Sequence, residues 1–234
     1  MLGNHFYNAT VRKSVAIFGT LFNNMTVIRR DGSNNIINKV KVPLAYGPKQ
    51  KFLARIDQEE KNRGMAIKLP RMAFEITSLT QDTTQKLQKL NKIVEIGTDI
   101  TKKKTIAFHT AYDIGMSLYI MSKNQDDGLQ LLEQILPFFQ PEYTVSIKPV
   151  DGFDFKQDVP IILTGVNIQD DYEGDLAERR VLIYQLDFTM KTKFYSGTGT
   201  TGIIRTVEID FENPLATPIE EMDFTVGASD TASS

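Results

Sequence analysis

The chain of 234 residues contains no cysteine. That absence excludes disulfides, thiol nucleophiles, thiolate metal sites and iron–sulfur ligation, and it suits a reducing compartment. A charge of one sign is also lacking. Lys and Arg number 27 against 29 Asp and Glu, for a net charge of −2. Nothing global therefore draws the chain to nucleic acid or to an anionic membrane. No apolar run approaches the roughly 18 residues of a spanning helix. The opening residues, MLGNHFYNATVRKS, lack the basic-then-apolar layout of a secretory signal. The expectation is a soluble protein that stays in the compartment where it is made. Only two histidines occur, His5 and His109, and no G-x-S-x-G signature supports a catalytic triad around them.

What is present is an ordinary globular balance, 41% hydrophobic and 24% charged. A chain of this length buries roughly 70–75% of its unfolded surface and needs no covalent staples. Tyr7, Val11, Val15, Phe18 and Phe22 form one stripe, which predicts a helix over residues 7–22, with Asn8 or Thr10 as its cap. MTVIRRD and IINKVKVPLAY predict a hairpin around RDGSNN. GPKQKFLARIDQEEKNRG predicts a short helix with Pro48 in its first turn. AIKLPRMAFEITSL predicts a strand, and Pro70 places it at an edge or a bulge. The polar segment 79–104, which closes on a lysine triplet, is read as a projecting hairpin or loop. IAFHTAYDIGMSLYIMS predicts a strand with Ile114, Met116, Leu118 and Ile120 on one face.

In the stretch LLEQILPFFQPEY, a helix meets Pro137, shows Phe138 and Phe139, and meets Pro141. Asn124, Asp126 and Asp127 suit the start of that helix, with Leu129, Leu132, Ile135 and Leu136 as its apolar face. Pro137 ends or kinks it. The rings are expected to pin a helix-to-strand corner, at least one in the core and the other toward a subunit or partner. EYTVSIKPV, VPIILTGVNIQ, ERRVLIYQLDFTMKTKFY and GIIRTVEIDF predict strands. In the third, Leu182, Tyr184, Leu186, Phe188 and Met190 occupy alternate positions, giving one buried and one wet face. From Asn213 onward the composition predicts a loose tail. Runs of adjacent strands give the fold class: α+β, a mainly antiparallel sheet with helices packed on a face. The domain reading is one unit over 1–212, followed by the tail 213–234.

Several patterns invite chemistry. GTGTTG, residues 197–202, has the glycines of a dinucleotide loop, but that loop needs a following helix, and IIRTVEIDF alternates like a strand. QDDYEGD, residues 169–175, gathers acids around Gly174. An EF-hand loop aligned on that glycine begins at Gln169 and ends at Arg180, so its ligand set fails. The lysines 102–104, Arg29-Arg30 and Arg179-Arg180 make short basic patches without interleaved aromatics, which suits solvated faces or subunit ion pairs. No catalytic, cofactor or metal residue is assigned. The pattern favours a structural or binding protein over an enzyme.

EQILPFFQP, residues 133–141, resembles a segment of the tail sheath stabiliser and completion proteins of contractile-tailed bacteriophages. FYNATVRKSVAIFGTLFNN, VPLAYGPKQKF, LPRMAFEI, AERRVLIYQLDFTM and GIIRTVEIDF resemble further pieces of that family in the same order, spanning most of residues 6–211. The chain departs from the family in segment 79–104 and after Asn213. The resemblance implies a virion component similar to tail terminators. It would be a six-fold ring at the head-proximal end of the tail, touching sheath and tube on one side and neck proteins on the other. DNA would be passing cargo only, and no membrane, cofactor or catalytic residue would be involved. On this reading the candidate subunit or partner interface comprises Phe138, Phe139, Gln140, Arg71, Arg179 and Arg180. A tail terminator or head-to-tail connector ring is the nearest alternative, and a nucleotide-binding or enzymatic domain using Gly197–Gly202 is the alternative of another class.

Overall fold

The structure, a computed structural model, describes residues 5–54, 69–85, 88, 91–96, 102–171 and 181–202. The element order is α1 (Thr10–Phe22), β1 (Thr26–Arg30), β2 (Ile36–Lys41), β3 (Leu44–Tyr46), β4 (Arg71–Gln81), β5 (Lys92–Ile96), β6 (Lys102–Ala107) and β7 (Thr110–Ser122). It continues with α2 (Gln125–Ile135), a 3-10 turn (Leu136–Phe138), β8 (Glu142–Ile147), β9 (Gln157–Asp171), β10 (Val181–Phe194) and β11 (Gly199–Gly202). Six strands form the main sheet in the order β3-β4-β7-β10-β9-β8, with β1-β2 a separate hairpin and β11-β6-β5 a small third sheet. Among the described residues only the short β3–β4 pairing is parallel. The predicted α+β class with a mainly antiparallel sheet holds.

β7 and β10 are the spine, paired without a register break from Ser122↔Leu182 to Thr110↔Phe194. Their β-branched, aromatic and methionine side chains suit a pleated, buried surface. Ile114, Met116, Leu118 and Ile120 meet Tyr184, Leu186, Phe188 and Met190 on one face. Phe18 and Phe22 of α1 and Leu131 and Ile135 of α2 close that layer. The other face is wet only toward one end. Ala73, Tyr119, Met121, Val181 and Ile183 form a second cluster with Phe52. The prediction of one buried and one wet face for residues 181–194 therefore needs correction: where residues 49–54, which are helical, cover the sheet, both faces are buried.

Other details differ from the sequence reading. α1 begins at Thr10, not Tyr7, behind Ala9 in a left-handed conformation (φ 54°). Asn8 does not cap it; its amide donates to the carbonyls of Tyr195 and Ser196 at 3.0 and 3.3 Å. Tyr7 and Val11 are exposed, so the buried stripe is Ser14, Phe18 and Phe22. The predicted strand 36–46 splits at Val42-Pro43. Its first part pairs with β1 and its second joins the main sheet. Pro70 precedes β4 instead of interrupting it. The bulge of β4 falls between Ile76 and Ser78. The predicted strand 106–122 breaks at Phe108-His109, separating β6 from β7. Within the polar segment, β5 and β6 do form an antiparallel hairpin, Lys92↔Ala107 to Ile96↔Lys103. It packs through Ile93 and Ile106 on Val150, Phe153 and Tyr195. The rest of the predicted helix after residue 54, the acidic stretch from 172 on, the strand after residue 202 and the tail 213–234 lie outside the described residues.

Candidate interaction surface

Pro137 has no N–H to donate and cannot extend an α-helix cleanly. After Ile135 the chain tightens into the 3-10 turn, closed by Phe139 N–H on the Leu136 carbonyl at 3.2 Å. The Gln140 amide donates back to the Pro137 carbonyl at 3.1 Å and fastens the corner. The corner sends its two rings apart. Phe139 packs on the core, its centroid 5.1 Å from Phe188, 6.4 Å from Phe22 and 6.2 Å from Tyr143. Phe138 points outward and is 66% exposed. Beside it opens a groove of about 690 Å³, lined by Leu21, Phe22 and Met25 from the α1 end and by Ile135, Phe138 and Tyr143 from the corner. Exposed aromatic rings beside apolar grooves are the kind of feature that anchors interfaces, where aromatic residues are enriched.

α2 is held against β1 by polar side chains. Asp127, with a side chain 3% exposed, accepts two hydrogen bonds from the Arg29 guanidinium, at 2.6 and 3.3 Å. That contact holds the Arg29 pKa above its ordinary value, the hydrogen bond being the larger cause and burial opposing it. Gln130 accepts from the Ile28 N–H at 3.1 Å and donates to the Ile28 carbonyl at 3.0 Å. Gln134, one turn on, donates to the Thr26 carbonyl at 3.0 Å. The predicted apolar face of this helix is therefore shifted. Leu131 and Ile135 are buried, whereas Leu129 and Leu136 are exposed. Asp126 and Asp127 do diverge, as helical neighbours must, but Asp127 is an anchor and not only an N-terminal charge.

Arg71 lies on the opposite face of the main sheet from Phe138, in the same half as Ala73 and Phe52. Its guanidinium carbon sits 5.3 Å from the centre of the Phe52 ring. Its Nε is buried and finds no hydrogen-bond partner among the described residues. The structure thus separates Arg71 from Phe138, Phe139 and Gln140. Arg179 and Arg180 lie outside the described residues.

The other sequence candidates resolve into structure. The GTGTTG stretch is extended over its last four residues. Residues 199–202 are β11, laddered on Thr105 to Lys102 of the lysine-rich β6. His109 sits between Phe108 and Tyr195, ring centroids 5.9 and 5.5 Å away. Burial, and secondarily the charge of Lys193, lower its pKa. Among the described residues no group of three or more His, Asp or Glu is placed to hold a metal ion. No helix among them is long and apolar enough to cross a membrane.

The prominent surface features of this α+β chain, among the described residues, are an aromatic corner and the apolar groove beside it. Its family follows from comparison with known proteins. The sequence profile of the T4-like virus Myoviridae tail sheath stabilisers matches residues 5–233, and the chain belongs to that family. It is also similar to the tail completion protein gp15 of Enterobacteria phage T4, with 28% identity over 221 residues, 88% of this chain and 78% of that protein. It is accordingly a structural component of a contractile phage tail.

Proposed function

We propose that copies of this chain close into a six-fold ring at the head-proximal end of the tail, at its junction with the neck. The ring caps the tube and the last sheath ring and offers its other side to neck proteins. Its work is binding, with no chemical step. The protein is made in the host cytoplasm and becomes part of the virion. DNA passes through the lumen as cargo, and the near-neutral net charge suits a wall that does not grip phosphates. The observation that carries this reading is the family match over nearly the whole chain.

The surface supports it. A closed ring uses a heterologous contact, one patch fitting a different patch on the next copy. The exposed Phe138 groove and the Arg71 region lie on opposite faces of the main sheet, so they are two different patches, as a heterologous contact needs. A stable contact buries about 1,000 Å² or more, so Phe138 serves as an anchor within a larger area. Light scattering of the purified chain, together with micrographs of it mixed with tail tubes, tests the proposal. Ring-shaped particles at one tube end are expected. A strict monomer that ignores tail ends overturns it. Cross-linking in intact virions then separates the sheath stabiliser role from that of a terminator or connector, by showing whether sheath protein is a direct neighbour.

A further inference from the structure

Two apolar surfaces stand open at opposite ends of α2. One is the tip of the β1-β2 hairpin, where Ile36 and Ile37 are 61% and 69% exposed. Arg29 pairs with Asn38 and Arg30 with Ile36, so Ile37 falls in a bulge and has no partner on β1. The other is the groove beside Phe138, which takes in Glu133, Gln134 and Ile135 from the last turn of the helix.

The tip cannot swing into the groove of its own chain. β1 is fastened along α2 in the opposite direction: Gln134 bonds Thr26, Gln130 bonds Ile28 and Asp127 bonds Arg29. The tip therefore continues past Asp127, at the start of the helix, while the groove lies at its end. The eight residue steps from Asp127 to Ile135 span about 12 Å. A knob fixed at one end of a helix and a socket at the other are the two halves of a head-to-tail contact, the kind that closes a ring.

The chemistry of the two surfaces is complementary. The hairpin sets Ile36 and Ile37 among the exposed cations Arg30, Lys39 and Lys41, and Asp31 is the one acid between Thr26 and Lys41. The groove is walled by apolar side chains, Leu21, Met25, Phe138 and Tyr143 among them. Glu133 is the one charged side chain among the described residues that line it, and it is exposed, as is Glu142 just past the corner. An aliphatic knob with a basic collar thus faces an apolar socket with an acidic rim, and rim charges of opposite sign favour the right partner and fix its register. The Arg71 region offers no such knob, since Ala73, Tyr119, Met121 and Ile183 beside it are buried.

The geometry points to hairpin docking between copies: Ile36 and Ile37 of one chain seat in the Phe138 groove of the next. This rests on the ring reading, and names the contact that links its subunits. Each subunit gives one tip and receives another, as heterologous closure demands. A stable contact buries about 1,000 Å² or more, so the two isoleucines are its anchor and not its whole area.

Two full-length variants test it. Ile36→Ser with Ile37→Ser removes the knob and keeps the socket, whereas Phe138→Ala weakens the socket and keeps the knob. All three side chains are exposed, so denaturant unfolding of each variant should match the parent. Each variant alone should need about tenfold more protein to assemble. Mixed below that concentration, they should form a dimer and stop there, because one intact knob meets one intact socket. The chain has no cysteine, so Ile37→Cys and Glu133→Cys chains can be mixed and treated with a short thiol-to-thiol linker. A covalent dimer in that mixture, stronger than in either chain alone, is expected, and this arm decides if a serine or alanine variant folds poorly. Rings of the serine variant at the parent's concentration, or parent rings whose cysteine pair does not cross-link, overturn hairpin docking and leave the ring reading standing. A parent chain that stays monomeric alone and at tail ends overturns both.

Discussion

Arg29 and Asp127 join the hairpin to the second helix through a two-pronged ion pair, 2.6 Å at its shorter contact, with the carboxylate side chain almost wholly buried. Removing one partner strands the other. Asp127→Ala removes a two-pronged hydrogen bond from a guanidinium that water still reaches, and should cost about 1–2 kcal/mol, toward the lower end for hydrogen bonds to charged groups. Arg29→Ala should cost at least as much, because it leaves the better-buried carboxylate alone. The double variant should cost less than the sum of the two. Denaturant unfolding of all four chains measures it, and strict additivity would show that the pair does not couple.

The two phenylalanines of the corner should separate by assay. Phe139 contacts three rings, and Phe139→Ala should destabilise the chain by about 2–4 kcal/mol, toward the lower end of buried Phe truncations. Phe138 is exposed, and Phe138→Ala should leave stability within about 0.5 kcal/mol. Its effect should appear in assembly and in binding to tail ends. A Phe138→Ala chain that unfolds early, or one that assembles as well as the parent, contradicts this division.

Gly128 is required by space. An added Cβ would stand 2.2 Å from Tyr184 Cε2 and 3.0 Å from Ser122 Oγ, and Tyr184 is fully buried. In an exposed helix, Gly→Ala gains up to about 1 kcal/mol. Here overpacking should outweigh that gain and leave Gly128→Ala net destabilised by about 1–3 kcal/mol. A melting temperature above the parent's would show that the tyrosine can yield.

The strands were legible because period two runs through most of residues 110–122 and 181–194, fading only where both faces are buried, as at Val181–Tyr184. Helix faces were less so. Leu129 and Leu131 sit two residues apart with the same chemistry, and only the position of the sheet decides that Leu131 is inside. Asp127 could not be read as an anchor either, since its partner Arg29 is 98 residues away. The corner was legible in part. Two prolines around two rings announce a turn, but which ring enters the core depends on Phe22 and Phe188, contributed by distant elements. The pairing of the glycine stretch was not legible for a related reason. Its partner β6 is nearly a hundred residues upstream, and a ladder partner leaves no local signature.

His109 gives the fold a pH dependence of defined sign. Burial holds its folded-state pKa below the ordinary 6.5. As pH falls through 6.5 the unfolded chain takes up the proton first, so stability drops, and the loss is complete once pH is below the folded-state pKa. His109→Gln should therefore lose less stability than the parent between about pH 7.5 and about pH 5. Parallel denaturation series at the two pH values test it, and identical slopes would place the imidazole in solvent.

Gln130 and Gln134 stand in for a missing strand, and their roles differ by one atom. Gln130 both accepts from the Ile28 N–H and donates to its carbonyl, as a paired strand would. Gln134 only donates, to the Thr26 carbonyl. Gln130→Ala should therefore raise amide hydrogen exchange at Ile28 and cost about 1–3 kcal/mol. Gln134→Ala should cost about 0.5–1.5 kcal/mol and leave exchange at Ile28 unchanged. Gln130→Glu keeps the acceptor and loses the donor, so the Ile28 amide should stay protected while stability falls. Equal exchange at Ile28 in all three variants would mean that the edge is shielded by packing alone, and the side-chain amides would then be incidental to how the hairpin is held.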